Sequence, residues 1–180
     1  MIKKLKNIDH LDDFHPIIGK QLSLKSRIQN RKFGSNNYSL KKIESTNIQN
    51  PLPSENSRCN FEKFESGLLL RINDNQDYYG IPINVDLNPS IRLIKGTERI
   101  KLLGIARLIK FFGGKLDPIR KRRFFKFGLY NDNFHIDLKI VDLRLSLESN
   151  SHNFESEKAF FKDSILSDNL IIEEKRNTIE

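Results

Sequence analysis

Arg120-Lys121-Arg122-Arg123 is the densest run of chemistry-bearing residues in the chain. Its chemistry is the recognition of anions. Each arginine offers a planar fork of donors that matches phosphate, and closely set cations gain by releasing the counterions condensed on a polyanion. Arg107, Lys110 and Lys115 precede the run, and Lys126 follows it. Phe124 and Tyr130 interleave with these cations. If 123–130 is a strand, Phe124, Lys126, Gly128 and Tyr130 share one face, an order of aromatic, cation, small residue and aromatic that suits stacking on bases. The plainer reading is that both rings pack under a loop or the tail, the usual work of aromatics. These ten residues are the candidate nucleic-acid contacts.

The charge is local. Residues 91–127 hold twelve basic and two acidic side chains, a formal +10, whereas the whole chain carries +8, so the remainder is −2. Ile, Lys, Asn and Phe are abundant and Trp is absent, the pattern of an A/T-rich coding sequence. Part of the lysine excess is therefore open to a compositional explanation; three arginines in a run of four are less so. A polyanion is the expected partner, nucleic acid first and RNA above DNA. An anionic membrane surface is the alternative, because KLLGIARLIKFFGGK (101–115) also reads as a cationic amphipathic helix. An acidic protein partner is the other alternative. A solvated loop neutralised by the acidic tail is the plain alternative to all three.

Nothing in the chain assembles a catalytic or metal-binding motif, so neither a cofactor nor an enzymatic activity is expected. His10, His15, His135 and His152 include no i, i+4 pair, and Cys59 is the only cysteine. His135 stands two residues from Asp137, but no nucleophile accompanies them, and an exposed cross-strand pair is the simpler reading. Gly113-Gly114-Lys115 lacks the spacing and the hydroxyl of a phosphate-binding loop. Asp137-Leu138-Lys139 matches one piece of a nuclease metal site, a pattern common by chance in an alternating strand. One cysteine fits a reducing compartment. The start lacks the apolar core of a signal peptide, and no apolar run nears the roughly 18 residues of a spanning helix. A cytoplasmic protein is expected.

Few elements are available to position the basic segment. Leu5, Ile8, Leu11 and Phe14 suggest a short helix that Pro16 interrupts; Pro16-Ile17-Ile18 suit the start of a second helix, while Leu22 and Leu24 alternate like a strand. Residues 29–60, rich in Asn, Ser, Lys and Glu, read as a linker with one brief docked piece at Tyr38, Leu40 and Ile43. Gly67–Ile72 and Tyr78–Leu87 form β-rich runs around Asn73-Asp74-Asn75-Gln76, with Pro82 on the polar face at an edge. Thr97 and Glu98 suit a helix start, and Gly113-Gly114 a stop. Between them Leu102, Ile105, Ala106, Ile109 and Phe112 share an apolar face, which the sheet would cover. Two further runs follow, 123–130 and 134–147, the second with a phase slip at Ile140-Val141 that signals a bulge or a bend. The tail 156–175 has helical spacing through Phe161, Ile165 and Ile172.

The expected fold is α+β: a small antiparallel sheet of two hairpins packed on one central helix. It occupies 61–148, between a largely flexible region (1–60) and an acidic, partly helical tail (149–180).

Overall fold

The computed structural model describes residues 2–5, 11–23, 34–46, 52–96, 98–102, 127–131, 133–174 and 178–179. In chain order its elements are β1 (Lys3–Leu5), α1 (His15–Ile18), β2 (Tyr38–Ser45), β3 (Arg58–Lys63), β4 (Gly67–Asp74), β5 (Asp77–Asn84), β6 (Ser90–Lys95), β7 (Glu98–Leu102) and β8 (Phe127–Asn131). Then come β9 (Phe134–Ile140), β10 (Leu143–Ser149), α2 (Phe154–Lys162), β11 (Leu170–Glu174) and β12 (Thr178–Ile179). Nine strands form one sheet in the order β1-β5-β4-β3-β2-β10-β9-β6-β11. The others form a sheet of three, β12-β7-β8. The chain divides into two compact units, residues 1–95 with 133–173, and residues 96–132 with 174–180.

Period-two alternation builds the first unit. Phe134, Ile136, Leu138 and Ile140 of β9 are buried, while Asp137 and Lys139 are exposed and His135 is half-buried. The same phase recurs in β10, where Leu143, Leu145 and Leu147 are buried beside exposed Arg144. Helix α2 lies against this inner face. Phe134 meets Phe154 edge-to-face at 5.9 Å between centroids, Phe61 meets Phe161 at 5.2 Å, and Tyr38 lies edge-on to both Phe61 and Phe134. Among these rings sits Glu157, fully buried. It accepts from the Tyr38 hydroxyl, from the Asn36 backbone N–H at 2.8 Å and from the Asn36 amide at 2.5 Å. Burial, and then the adjacent carboxylate, push the Tyr38 phenol well above its usual range.

Among the described residues, the outer face is covered over one half only. Leu11, Phe14 and Ile18, around α1, pack on Leu5, Phe64 and Leu69. Phe14 presses so closely on β5 that a Cβ at Gly80 would stand 2.5 Å from its Cζ. The outer face of β2-β10-β9-β6 keeps a surface of polar side chains.

This architecture corrects the expected fold. The protein is mostly sheet, with nine strands in one sheet and two short helices among the described residues, and it is not two hairpins on a central helix. Where that helix was expected to start, Glu98–Leu102 is β7, paired antiparallel with β8 from Glu98↔Asn131 to Leu102↔Phe127. Residues 103–112 lie outside the described residues. Partner strands supplied the ladder that Thr97 and Glu98 as capping residues could not foretell.

Smaller readings change as well. Lys3–Leu5 is a strand and not part of a helix, whereas Pro16-Ile17-Ile18 does open a helix, α1. Tyr38–Ser45, taken for a brief docked piece in a linker, is an eight-residue strand in the middle of the sheet. Pro82 is buried, in register with Leu69 of β4 and on β5 beyond the stretch that β1 pairs. The phase slip at Ile140-Val141 is a hairpin turn: Ile140 pairs with Leu143, and Val141, exposed at φ +42°, turns the corner with Asp142. In the tail, α2 covers Phe154–Lys162, and Leu170–Glu174 is a strand.

Candidate nucleic-acid interface

Nine of the ten candidate contacts, Arg107, Lys110, Lys115, Arg120, Lys121, Arg122, Arg123, Phe124 and Lys126, lie outside the described residues. The tenth, Tyr130, is in β8 opposite Arg99. What the structure describes is how the stretch that carries the nine is held. Residues 103–126 run from the end of β7 to the start of β8, and Leu102 and Phe127 are ladder partners. A stretch of 24 residues with eight basic side chains and one acid, formally +7, therefore leaves and returns at one point. The third strand of that sheet, β12, pairs parallel with β7 through Thr178↔Arg99 and Ile179↔Ile100.

The first unit carries a second gathering of cations. Register brings together Ser90 of β6, Lys139 of β9, Arg144 of β10 and Glu44 of β2 in one row across the outer face. The next row is Arg92, Asp137, Ser146 and Lys42. Together these rows line an open depression of about 360 Å³. Most of its acids are engaged. Lys42 Nζ meets Glu44 Oε1 at 2.6 Å, Arg92 Nε meets Glu173 Oε1 at 3.2 Å, and Ser146 Oγ donates to Asp137 Oδ1 at 3.0 Å. The Lys42 ammonium, with a smaller contribution from Arg144, holds the Glu44 carboxyl below the usual range. Glu44 in turn raises Lys42.

No family model, curated protein or solved structure matches the chain.

The remaining residues singled out from the sequence fall into place around these rows. His135 pairs across the strands with Glu148, Nδ1 to Oε2 at 3.8 Å, and not with Asp137. Asp137 and Lys139 both stand in the depression, yet among the described residues no three His, Cys, Asp or Glu side chains gather to hold a metal. No described helix is long and apolar enough to cross a membrane. Lys139, Arg144 and Ser90 were missed as a group in the sequence. Alternation already put Lys139 and Arg144 on polar faces. Setting them side by side required knowing that Val141-Asp142 is a two-residue turn, and bringing Ser90 alongside required the β6–β9 register.

Proposed function

We propose that the protein is a non-catalytic nucleic-acid-binding protein, with single-stranded RNA as its preferred ligand, and that segment 91–127 makes the contact. One observation carries the reading: formal charge of +10 is gathered in that segment against −2 in the remainder, and its +7 centre is closed at the base by the Leu102–Phe127 pair. Closure holds the two ends of the stretch together, so the cations near both ends can meet one polyanion. Phe124 and Tyr130, set among the cations, favour RNA, whose unpaired bases stack on aromatic rings. The membrane-surface alternative leaned on a helix from Lys101, and Lys101 belongs to β7. The reading includes a cytoplasmic location, which the single, buried Cys59 suits.

The test is RNA binding by the full chain across a salt series, set beside the variant with Arg120, Lys121, Arg122 and Arg123 all changed to Ser. The variant should bind every sequence more weakly and flatten the slope of log K against log salt by about 0.7 per lost phosphate contact. Its thermal melt should match that of the parent. An unaltered slope removes the reading, and sedimentation with anionic vesicles then decides whether a membrane or an acidic protein is the partner.

A further inference from the structure

The outer face of the nine-stranded sheet contains an arrangement that is unfavourable on its own terms. Lys139 and Arg144 are direct cross-strand partners and both are exposed. Like charges directly opposite each other on a sheet cost stability, and opposite charges at such positions gain it. On the far side of Lys139 the register places Ser90, and on the far side of Arg144 it places Glu44. Among the described residues, no carboxylate lies within ion-pair distance of Lys139. The acids nearby have other partners, Glu44 with Lys42 at 2.6 Å and Asp137 with the Ser146 hydroxyl at 3.0 Å. The positive excess of the depression therefore falls on two adjacent side chains with a hydroxyl beside them.

We propose that Lys139 and Arg144, flanked by Ser90, seat a backbone phosphate of a single-stranded nucleic acid. This rests on the nucleic-acid reading above and adds a contact on the first unit to that of the basic segment. The chemistry matches. An anion between the two cations turns their repulsion into two attractive pairs, Arg144 supplies forked donors, and the Ser90 hydroxyl adds a neutral one. A volume of about 360 Å³, open to solvent, admits a phosphodiester with part of its hydration. Among the described residues no aromatic ring lines the depression, so this contact positions a strand without reading its bases.

The experiment measures binding of the full-length protein to a single-stranded oligouridylate across a salt series. Its variants are Lys139→Ser with Arg144→Ser, the fourfold serine variant of 120–123, and a control, Lys20→Ser with Lys162→Ser, that removes the same charge elsewhere on the first unit. The depression variant should flatten the salt slope by about 0.7, the share of the one phosphate it seats. Its melt should stay close to that of the parent, because the repulsion it relieves offsets the Arg144–Glu44 attraction it removes, and Lys139→Arg with Arg144→Lys should restore binding. Parental slope and affinity in the depression variant, with loss in the fourfold variant, overturn the seat and leave the basic segment standing. Equal losses in the depression variant and the control also overturn it, since charge alone then suffices. Absence of binding by the parent overturns both proposals.

Discussion

Cys59 is buried in β3, its Sγ 3.5 Å from the Ser57 carbonyl, and burial pushes its thiol up to about 12. The native side chain therefore stays a thiol where an unfolded one, with its pKa near 8.5, is ionised. The linkage has a definite sign. As pH rises from about 9 toward 12, the unfolded chain gives up this proton while the folded chain keeps it, so stability should fall by about 1.4 kcal/mol per pH unit from this group. Denaturation midpoints at successive pH values should show that decline in the parent and lose that share of it in Cys59→Ala. A parallel decline in both proteins would assign the alkaline loss to other groups. Native Cys59 should also resist alkylation until the chain unfolds.

At the scale of elements, α2 is held by more than its rings. Glu157 is fully buried and accepts from three donors on one short segment of chain, residues 36–38. Glu157→Ala should lower stability by about 2–3 kcal/mol, because it strands the Tyr38 hydroxyl and the Asn36 donors away from water. Glu157→Gln, which keeps an acceptor oxygen, should cost less. Urea melts with unchanged m-values measure both; equal losses would mean that packing, not acceptance, is what Glu157 supplies.

The sequence made part of this architecture legible. The alternation of β9 and the turn-forming Asn75 between β4 and β5 were readable, because both signals are local. Less legible were β2 and β7. Tyr38–Ser45 contains Lys41, Lys42 and Glu44 and resembles a linker until β10 supplies its partner. The helical spacing of Leu102 onward competed with a ladder to β8 that no local signal announces. Of the candidate site, the charge segregation was visible at once. The like-charge pair on the sheet was not, because register is a long-range property.

At the scale of the whole molecule, the chain forms two compact units. The stretch between β7 and β8 belongs to the second compact unit, so the nine-stranded unit should not need it. Replacing 103–126 by Asn-Gly, which suits a two-residue hairpin, should leave the thermal unfolding of that unit within about 0.5 kcal/mol of the parent. It should remove most of the affinity for RNA and most of its salt dependence. A collapse of the melt would instead make the basic stretch part of the fold's support.

The middle of the large sheet is a seam between distant parts of the chain. β2 ends at Ser45, and the strand that pairs with it, β10, begins at Leu143. On a ribosome adding about 5–20 residues per second, β2 waits on the order of 5–20 s for that neighbour. During the interval its open edge is a template for any other extended chain. The extra residue in its register, between the Leu40 and Lys42 pairings, and the Lys41-Lys42 charges disfavour such partners. The kink that spoils the regularity of the finished sheet is thus a guard for the unfinished one. Joining the halves requires a contact between residues far apart in sequence, the kind that forms slowly.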